Sequence, residues 1–321
     1  MTAPARARLA ILTPVYDEEE NLDAYVREVT QVLFARPDLD VSVLFIDDGS
    51  SDGSWRKIAA AAAADPRFRG IRLSRNFGSH AALCAGFASV EGDAVATLAC
   101  DLQDPPSVIL EFVERWRAGA RIVWGSRRTR EDVAWRIGAS RLFQSLLRRH
   151  AMPPGSLFTT GSFLLVDRRV LECLREFRET HRITFALVAW TGFEQAVVEY
   201  DRRRRTAGTS GWTFRRMMKT MYDAFLGFST LPIAVMTGAA VLALLFTVVL
   251  SIYLVVHWFR GVGVPGWTSQ MLGLSVFFGV QFSLMAIAGQ YLYRIYAEVV
   301  RRPLYFVSDA TPGADRPAKS D

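Results

Sequence analysis

Two long stretches without a charged side chain, Leu231 to Phe259 and Met271 to Tyr293, constrain this chain more than any other feature. Each reaches or exceeds the roughly 20 residues needed to cross the ~30 Å apolar core of a bilayer. A buried core helix is the competing reading, but two such runs side by side favour the membrane. The connector from Arg260 to Gly266 holds one cation, whereas Arg215, Arg216 and Lys219 precede the first run and Arg294, Arg301 and Arg302 follow the second. By the positive-inside rule both long ends face the cytoplasm. Trp258, Trp267, Tyr291 and Tyr293 sit where an aromatic belt would anchor the run ends.

The preceding residues read differently. Short apolar runs at Leu9–Thr13, Val41–Ile46, Phe68–Leu73 and Ala94–Leu98 alternate with helical patterns at about 17–35, 54–64 and 78–88. Such alternation predicts a mostly parallel sheet with helices on both faces. The first strand is expected to stop at Pro14. Beyond it, further strands are expected at Ile122–Trp124, Gly161–Val166 and Ala196–Tyr200, and helices at Arg168–Phe177 and Ile183–Trp190. A basic amphipathic stretch, Trp135 to Arg149, places Arg141 and Ser145 four apart on one helical face. Arg202 to Gly211 is a basic loop, and Trp212 to Phe228 reads as an interfacial helix leading into the first apolar run.

Three strand ends carry polar clusters: Thr13 to Glu18, Asp47 to Asp52 and Asp101 to Asp104. In a parallel sheet such ends are neighbours, and ligands bind there. In the third cluster, Asp101-Leu-Gln-Asp-Pro-Pro106, hard oxygen donors suit Mg²⁺ or Mn²⁺ shared with substrate phosphates. The alternative is a plain turn in which Asp104 caps the following helix. There is no GxGxxG and no P-loop. The four histidines show no ligand spacing, and Cys84, Cys100 and Cys173 form no CxxC pair, as expected of buried thiols in a reduced compartment. No signal peptide is expected at the N-terminus. The net charge of +6 would suit nucleic acid, anionic lipid or phosphorylated substrates. Without a stacking platform or recognition helix, nucleic acid is not the expected partner.

Taken in order, the motifs resemble those of the inverting family 2 glycosyltransferases that act on polyprenyl phosphates, such as undecaprenyl-phosphate glucosyltransferases and dolichyl-phosphate mannose synthases. They are Pro14-Val-Tyr-Asp-Glu-Glu-Glu-Asn21, Asp47-Asp-Gly-Ser-Ser-Asp-Gly53, Arg75-Asn-Phe-Gly78, Asp101-Leu-Gln-Asp-Pro-Pro106, Gly125-Ser-Arg127, Arg202-x-x-Arg205-x-x-Gly208-x-Ser210, and Gly289 to Tyr296 before Arg302-Pro303. The resemblance implies a GT-A fold: a doubly wound, mostly parallel α/β sheet with interfacial helices and two transmembrane helices. It implies a catalytic domain over 1–211, an interfacial helix over 212–228, an anchor over 229–296 with spans near 231–259 and 270–293, and a cytoplasmic tail over 297–321. The enzyme would sit in the inner membrane with its catalytic domain in the cytoplasm. Apolar surface on the anchor could pack against copies of the chain.

Residue by residue, the resemblance implies that Pro14, Tyr16, Glu18 and Asp48 line the nucleotide pocket, with Asn76 beside them and Asp47 supporting the turn. Asp101 and Gln103 would hold Mg²⁺ or Mn²⁺. Where the family has Asp-x-Asp, this chain has Ala99-Cys100-Asp101, so water and diphosphate oxygens would complete the metal's shell. Arg127, Arg141 and Ser145 match the residues that hold the acceptor phosphate, and Arg202, Arg205 and Ser210 those of the loop that closes over both substrates. Asp101, Asp104 and Arg127 are the catalytic candidates, Asp104 as an orienting group or weak base.

The chemistry needs no strong base. A phosphate monoester has a second pKa of about 6, so a lipid phosphate is largely dianionic at neutral pH and can attack an anomeric carbon directly. Arginine suits the clamp such an anion requires. The expected reaction moves a sugar, glucose from UDP-glucose, to undecaprenyl phosphate with inversion. A processive polysaccharide synthase would need more spans and a Gln-x-x-Arg-Trp motif, which is absent. The non-enzymatic alternative is a membrane partner that binds nucleotide sugar or lipid phosphate without turnover.

Overall fold

The computed structural model describes residues 6–128, 162–177, 179, 184–203, 231–260 and 266–314. Among them are eight strands: β1 Ala7–Val15, β2 Leu39–Asp47, β3 Phe68–Leu73, β4 Ala94–Thr97, β5 Ile122–Arg127, β6 Leu164–Asp167, β7 Gln195–Tyr200 and β8 Val307–Ala310. The helices are α1 Glu19–Val29, continued by a π-helical stretch Thr30–Phe34, then α2 Ser54–Ala64, α3 Ser79–Ser89, α4 Val108–Arg117, α5 Arg168–Glu176, α6 Thr184–Trp190, α7 Leu231–Phe259 and α8 Trp267–Val300. The stretches expected as helices at Trp135–Arg149 and Trp212–Phe228 lie outside the described residues, as do Arg141, Ser145, Arg205 and Ser210.

The chain forms two units, α7 and α8 in one and the eight strands with the other helices in the second. The strands make one sheet in the order β7-β5-β6-β4-β1-β2-β3-β8. Its centre is parallel, β4-β1-β2-β3. β6 runs antiparallel to β4 and β5, β8 runs antiparallel to β3, and β5 and β7 are parallel.

Side-chain alternation sorts this sheet into faces. Leu9, Ile11 and Val15 of β1 and Val41, Val43 and Phe45 of β2 pack in one core with Leu22, Tyr25 and Val29 of α1 and Phe112 of α4. Those α1 positions repeat at helical spacing and are fully buried or nearly so. On the other face Leu12 and Ile46 press against Gly86 of α3, where an added Cβ would come within 2.9 Å of Ile46 Cδ1. α3 is buried almost all round, with α5 and α6 outside it. The result is the three-layer α/β arrangement expected from the alternation.

Two expectations need correction. β1 does not stop at Pro14 but continues to Val15, with Pro14 in register with Ile46 of β2. Leu12 accepts from Leu98 N–H on the β4 side, and Val15 accepts from Asp48 N–H on the β2 side. Pro14, two residues after Leu12, therefore aims its nitrogen past the end of β4, where a missing N–H costs nothing. The segment after the second apolar run is not only a tail: β8 adds to the free edge of β3 through Ile71, Arg72 and Leu73.

The other unit, Met218–Arg301, holds the apolar helices. Val235–His257 and Val276–Val300 are long and apolar enough to cross a membrane. α8 runs without a break past Tyr293 to Val300, so Arg294 lies within the helix rather than beyond it.

Candidate active site

The three polar clusters come together at the C-terminal ends of β2, β1 and β4, adjacent strands of the sheet. The loop after β1 is tied to the loop after β2. Asp17 N–H donates to Ser50 Oγ at 3.0 Å, Ser51 N–H donates to Asp17 Oδ1 at 2.8 Å, and Glu18 N–H donates to Ser54 Oγ at 3.0 Å. Asp17 takes a left-handed φ of 52°, which aspartate tolerates. Tyr16 stands at this edge, 47% exposed.

Asp47 and Asp48 are buried. Asp47 Oδ1 accepts from Ser50 N–H at 3.0 Å, and its Oδ2 lies 3.1 Å from Arg72 Nε. Asp48 accepts from the N–H groups of Phe77 at 2.8 Å and Gly78 at 2.9 Å. Both oxygens of Asp48 thus shape the Arg75–Gly78 loop, which carries the exposed Asn76. Burial pushes both carboxyls above their ordinary range, against the hydrogen bonds that lower them. Gly49 explains why this turn needs glycine: its φ is 71°, and a Cβ there would sit 2.4 Å from the carbonyl carbon of Arg75.

The Asp101–Pro106 motif follows β4 directly. Asp101 and Asp104 are buried, at 8% and 2% exposure. Gln103 N–H donates to Asp101 Oδ1 at 3.2 Å, and the intervening Leu102 takes a φ of 52°. A left-handed leucine costs roughly 1–3 kcal/mol, a strain typical of binding turns. Asp104 does not cap α4: the helix begins after Ser107, and the Asp104 carboxylate points to β7. There Tyr200 O–H donates to Asp104 Oδ1 at 2.5 Å, while Arg127 Nη2 and Arg202 Nε lie 3.8 and 3.7 Å from the same oxygen. The β5–β7 register pairs Arg127 with Tyr200, which brings both arginines to Asp104. Next to Arg202, Arg203 N–H donates to the Gln103 carbonyl at 2.9 Å, and its guanidinium meets Glu28 at 2.6 Å.

Electrostatics separates the participants. Burial, then the Arg127 charge, lowers the Arg202 pKa. Burial and the Asp104 charge raise that of Tyr200, which stays a phenol and a donor. Burial, with the Glu18 and Asp101 charges, pushes the Cys100 thiol well up and leaves it inert. Burial lowers His80, whose Nδ1 accepts from Thr184 N–H at 3.4 Å, so the ring is neutral at pH 7.

As a metal site, Asp101 and Gln103 supply hard oxygens suited to Mg²⁺ or Mn²⁺. No group of three or more His, Cys, Asp or Glu that could hold a metal is present among the described residues. Two protein oxygens, from Asp101 and Gln103, would leave the rest of such a cation's shell to water and substrate oxygens. Of the residues singled out from sequence, Pro14, Tyr16, Glu18, Asp47, Asp48, Asn76, Asp101, Gln103, Asp104, Arg127 and Arg202 all lie on these strand ends and loops. Sequence reasoning missed Tyr200 and the serines Ser50 and Ser54. Tyr200 closes a strand just before a basic loop, and nothing in its spacing points to a carboxylate 96 positions away.

A family model described as Glycosyl transferase family 2 matches residues 10–175. An uncharacterized glycosyltransferase of Synechocystis is 33% identical over 306 residues, covering 94% of this chain and 95% of that protein. An uncharacterized glycosyltransferase of Bacillus subtilis is 32% identical over 302 residues, covering 93% and 92%. The SfII prophage-derived bactoprenol glucosyl transferase of Shigella flexneri is 30% identical over 308 residues, covering 95% and 99%.

Proposed function

The chain belongs to glycosyltransferase family 2, and on that premise we propose that it transfers a sugar, glucose from UDP-glucose, to undecaprenyl phosphate at the cytoplasmic face of the inner membrane. The observation that carries this reading is the meeting, at one sheet edge, of the acidic Asp101–Asp104 motif with the guanidinium groups of Arg127 and Arg202. Such a site can face a diphosphate with one half and a phosphate monoester with the other. The name of the Shigella flexneri relative, similar over nearly its whole length, supports a polyprenyl phosphate as acceptor and glucose as the sugar.

The acceptor phosphate oxygen attacks the anomeric carbon of the donor. The new bond is C1–O to the lipid phosphate, the bond broken is C1–O to the nucleotide diphosphate, and the configuration inverts. The phosphate is already anionic near pH 7, so no side chain need remove a proton. Arg127 holds its oxygens, with Arg141 and Ser145 completing the acceptor site, and Arg202, Arg205 and Ser210 close over the reacting groups. Tyr16, Glu18 and the loops shaped by Asp47 and Asp48 take the nucleotide, with Pro14 and Asn76 at their rims. Asp101 and Gln103 would hold Mg²⁺ or Mn²⁺, which when bound neutralises charge on the departing diphosphate.

The domain plan follows from the acceptor. A polyprenyl phosphate keeps its tail in the bilayer, so residues 1–211 work at the surface, 212–228 lie in the interface, and 229–296 anchor the chain. Two exposed apolar helices leave surface for packing against further copies.

The test is a donor panel. Purified protein in detergent, given Mg²⁺ or Mn²⁺ and a short-chain polyprenyl phosphate, is offered UDP-glucose, UDP-galactose, UDP-N-acetylglucosamine and GDP-mannose. Nucleotide release with UDP-glucose alone supports the reading, release with another donor replaces the sugar, and binding of UDP-glucose without release with any donor removes the activity.

A further inference from the structure

Asp104 is the carboxylate that both Arg127 and Arg202 approach. The Tyr200 hydroxyl and the two guanidinium groups converge on its Oδ1, and its side chain is only 3% exposed. That oxygen is occupied by the Tyr200 phenol rather than open to an acceptor. We infer that Asp104 and Tyr200 form a hydrogen-bonded hub holding Arg127 and Arg202 as two jaws of one phosphate clamp, so that Asp104 and Tyr200 are positioning residues. The inference rests on the proposed function for the identity of the anion.

The geometry favours a clamp over a closed ion-pair cluster. At 3.7–3.8 Å the arginines sit beyond hydrogen-bond distance of Asp104. Charge holds them near, and their planar arrays of five N–H donors are not consumed by the carboxylate. Asp104 is paired with both guanidinium groups, and burial followed by the Arg127 charge lowers the Arg202 pKa although the Asp104 and Asp101 charges raise it. A phosphate dianion between the jaws would offset the mutual repulsion of the two cations. The arginines are each 34% exposed while the hub beneath is buried, so the jaws are reachable and their support is not.

The hub also fixes spacing. Tyr200 is the register partner of Arg127 and lies two residues before Arg202, so one strand end sets both jaws. The Arg203 N–H bond to the Gln103 carbonyl ties the chain beyond Arg202 to the Asp101–Gln103 segment. Clamp and diphosphate side are thereby held at one separation, as in-line displacement requires.

Tyr200→Phe tests this cleanly, because phenylalanine keeps the ring that packs edge-on against Phe163 and loses only the hydroxyl. The full-length protein in detergent is assayed with polyprenyl phosphate and UDP-glucose. The expected result is a KM for the acceptor raised about 10-fold, the cost of one hydrogen bond to a charged group, with the donor KM and the melting temperature unchanged. Asp104→Asn is expected to raise the acceptor KM at least as much and to leave the acidic limb of the pH–kcat profile in place. An unchanged acceptor KM in Tyr200→Phe overturns the hub. So does loss of the acidic limb in Asp104→Asn at unchanged acceptor KM, which is the behaviour of a base. A second measurement separates the hub from the transfer reaction. Inorganic phosphate should raise the wild-type melting temperature, and Tyr200→Phe and Arg202→Ala should each abolish that rise. If phosphate protects wild type and both variants equally, the hub is wrong whatever the enzyme transfers; if wild type transfers no sugar yet shows this pattern, the hub stands and the transfer reading falls.

Discussion

Both carboxylate oxygens of Asp48 are hydrogen-bonded to one loop, Oδ1 to Phe77 N–H at 2.8 Å and Oδ2 to Gly78 N–H at 2.9 Å. Asp48 therefore holds the Arg75–Gly78 segment through its backbone, and in the proposed function it would act on the donor pocket by that route. Asp48→Ala strands two N–H groups and frees the loop. The expected outcome is a KM for the sugar nucleotide raised at least 10-fold, with a smaller effect on the acceptor KM, in steady-state assays varying each substrate in turn.

Gly125 lies under three rings. A Cβ there would come within 2.9 Å of Phe163 Cδ1 and of Tyr200 Cε1, and within 3.1 Å of Phe112 Cζ. Gly125→Ala must push Tyr200 or Phe163 aside. Overpacking of this kind costs about 1–3 kcal/mol. Because Tyr200 reaches Asp104, activity should fall along with the melting temperature, and intrinsic fluorescence melting beside a transfer assay would read both.

Asp167 ties α5 to α4 and β5. It accepts from Trp116 Nε1–H at 2.8 Å, Arg121 Nη1–H at 2.8 Å and Arg169 N–H at 3.0 Å. Burial pushes its carboxyl up, but these donors outweigh burial and leave the folded pKa below its ordinary value of 3.8. A depressed folded pKa gives stability that is present above the unfolded value and lost as pH falls through the folded one. Acidification below about pH 4 should lower the wild-type melting temperature, and Asp167→Asn should lower it at neutral pH by the equivalent of about 1–3 kcal/mol while flattening that acid dependence.

The C-terminal strand carries a prediction of its own. Thr311 Oγ1 accepts from Gly70 N–H at 2.8 Å, and Phe306 O accepts from Ser74 N–H at 2.8 Å, just before the Arg75–Gly78 loop. Ending the chain after Arg302 exposes the β3 edge and frees one side of that loop. The truncated protein should melt roughly 5 °C lower, as a loss of roughly 2 kcal/mol would give. Its donor KM should rise while its acceptor KM changes less.

Much of the sheet was legible because its signals are local. Phe68–Leu73 is bounded by the residues its apolar pattern indicates, and the Asp47–Gly53 turn sits where its glycines and aspartates place it. Pro14 misled because a proline's cost depends on which neighbour its missing N–H would face, which is a property of the β4 end. β8 was missed because an edge strand of four residues, only partly buried, carries no periodic pattern. In the site, the acidic motifs stood out by composition and position, whereas the link from Asp104 to Tyr200 depends on the β5–β7 register, which no short window contains.

The central claim is transfer from a nucleotide sugar to a lipid phosphate by a site built on Asp101 and Arg127. The most direct measurement follows radiolabelled glucose from UDP-glucose into an extractable polyprenyl phosphate product, for wild type, Asp101→Ala and Arg127→Ala, with and without Mg²⁺ or Mn²⁺. Cation-dependent product from wild type, reduced at least 100-fold in both folded variants, is the predicted result. Wild-type product formed at equal rates by either variant, or product in which the donor's α-configuration is retained, would contradict it.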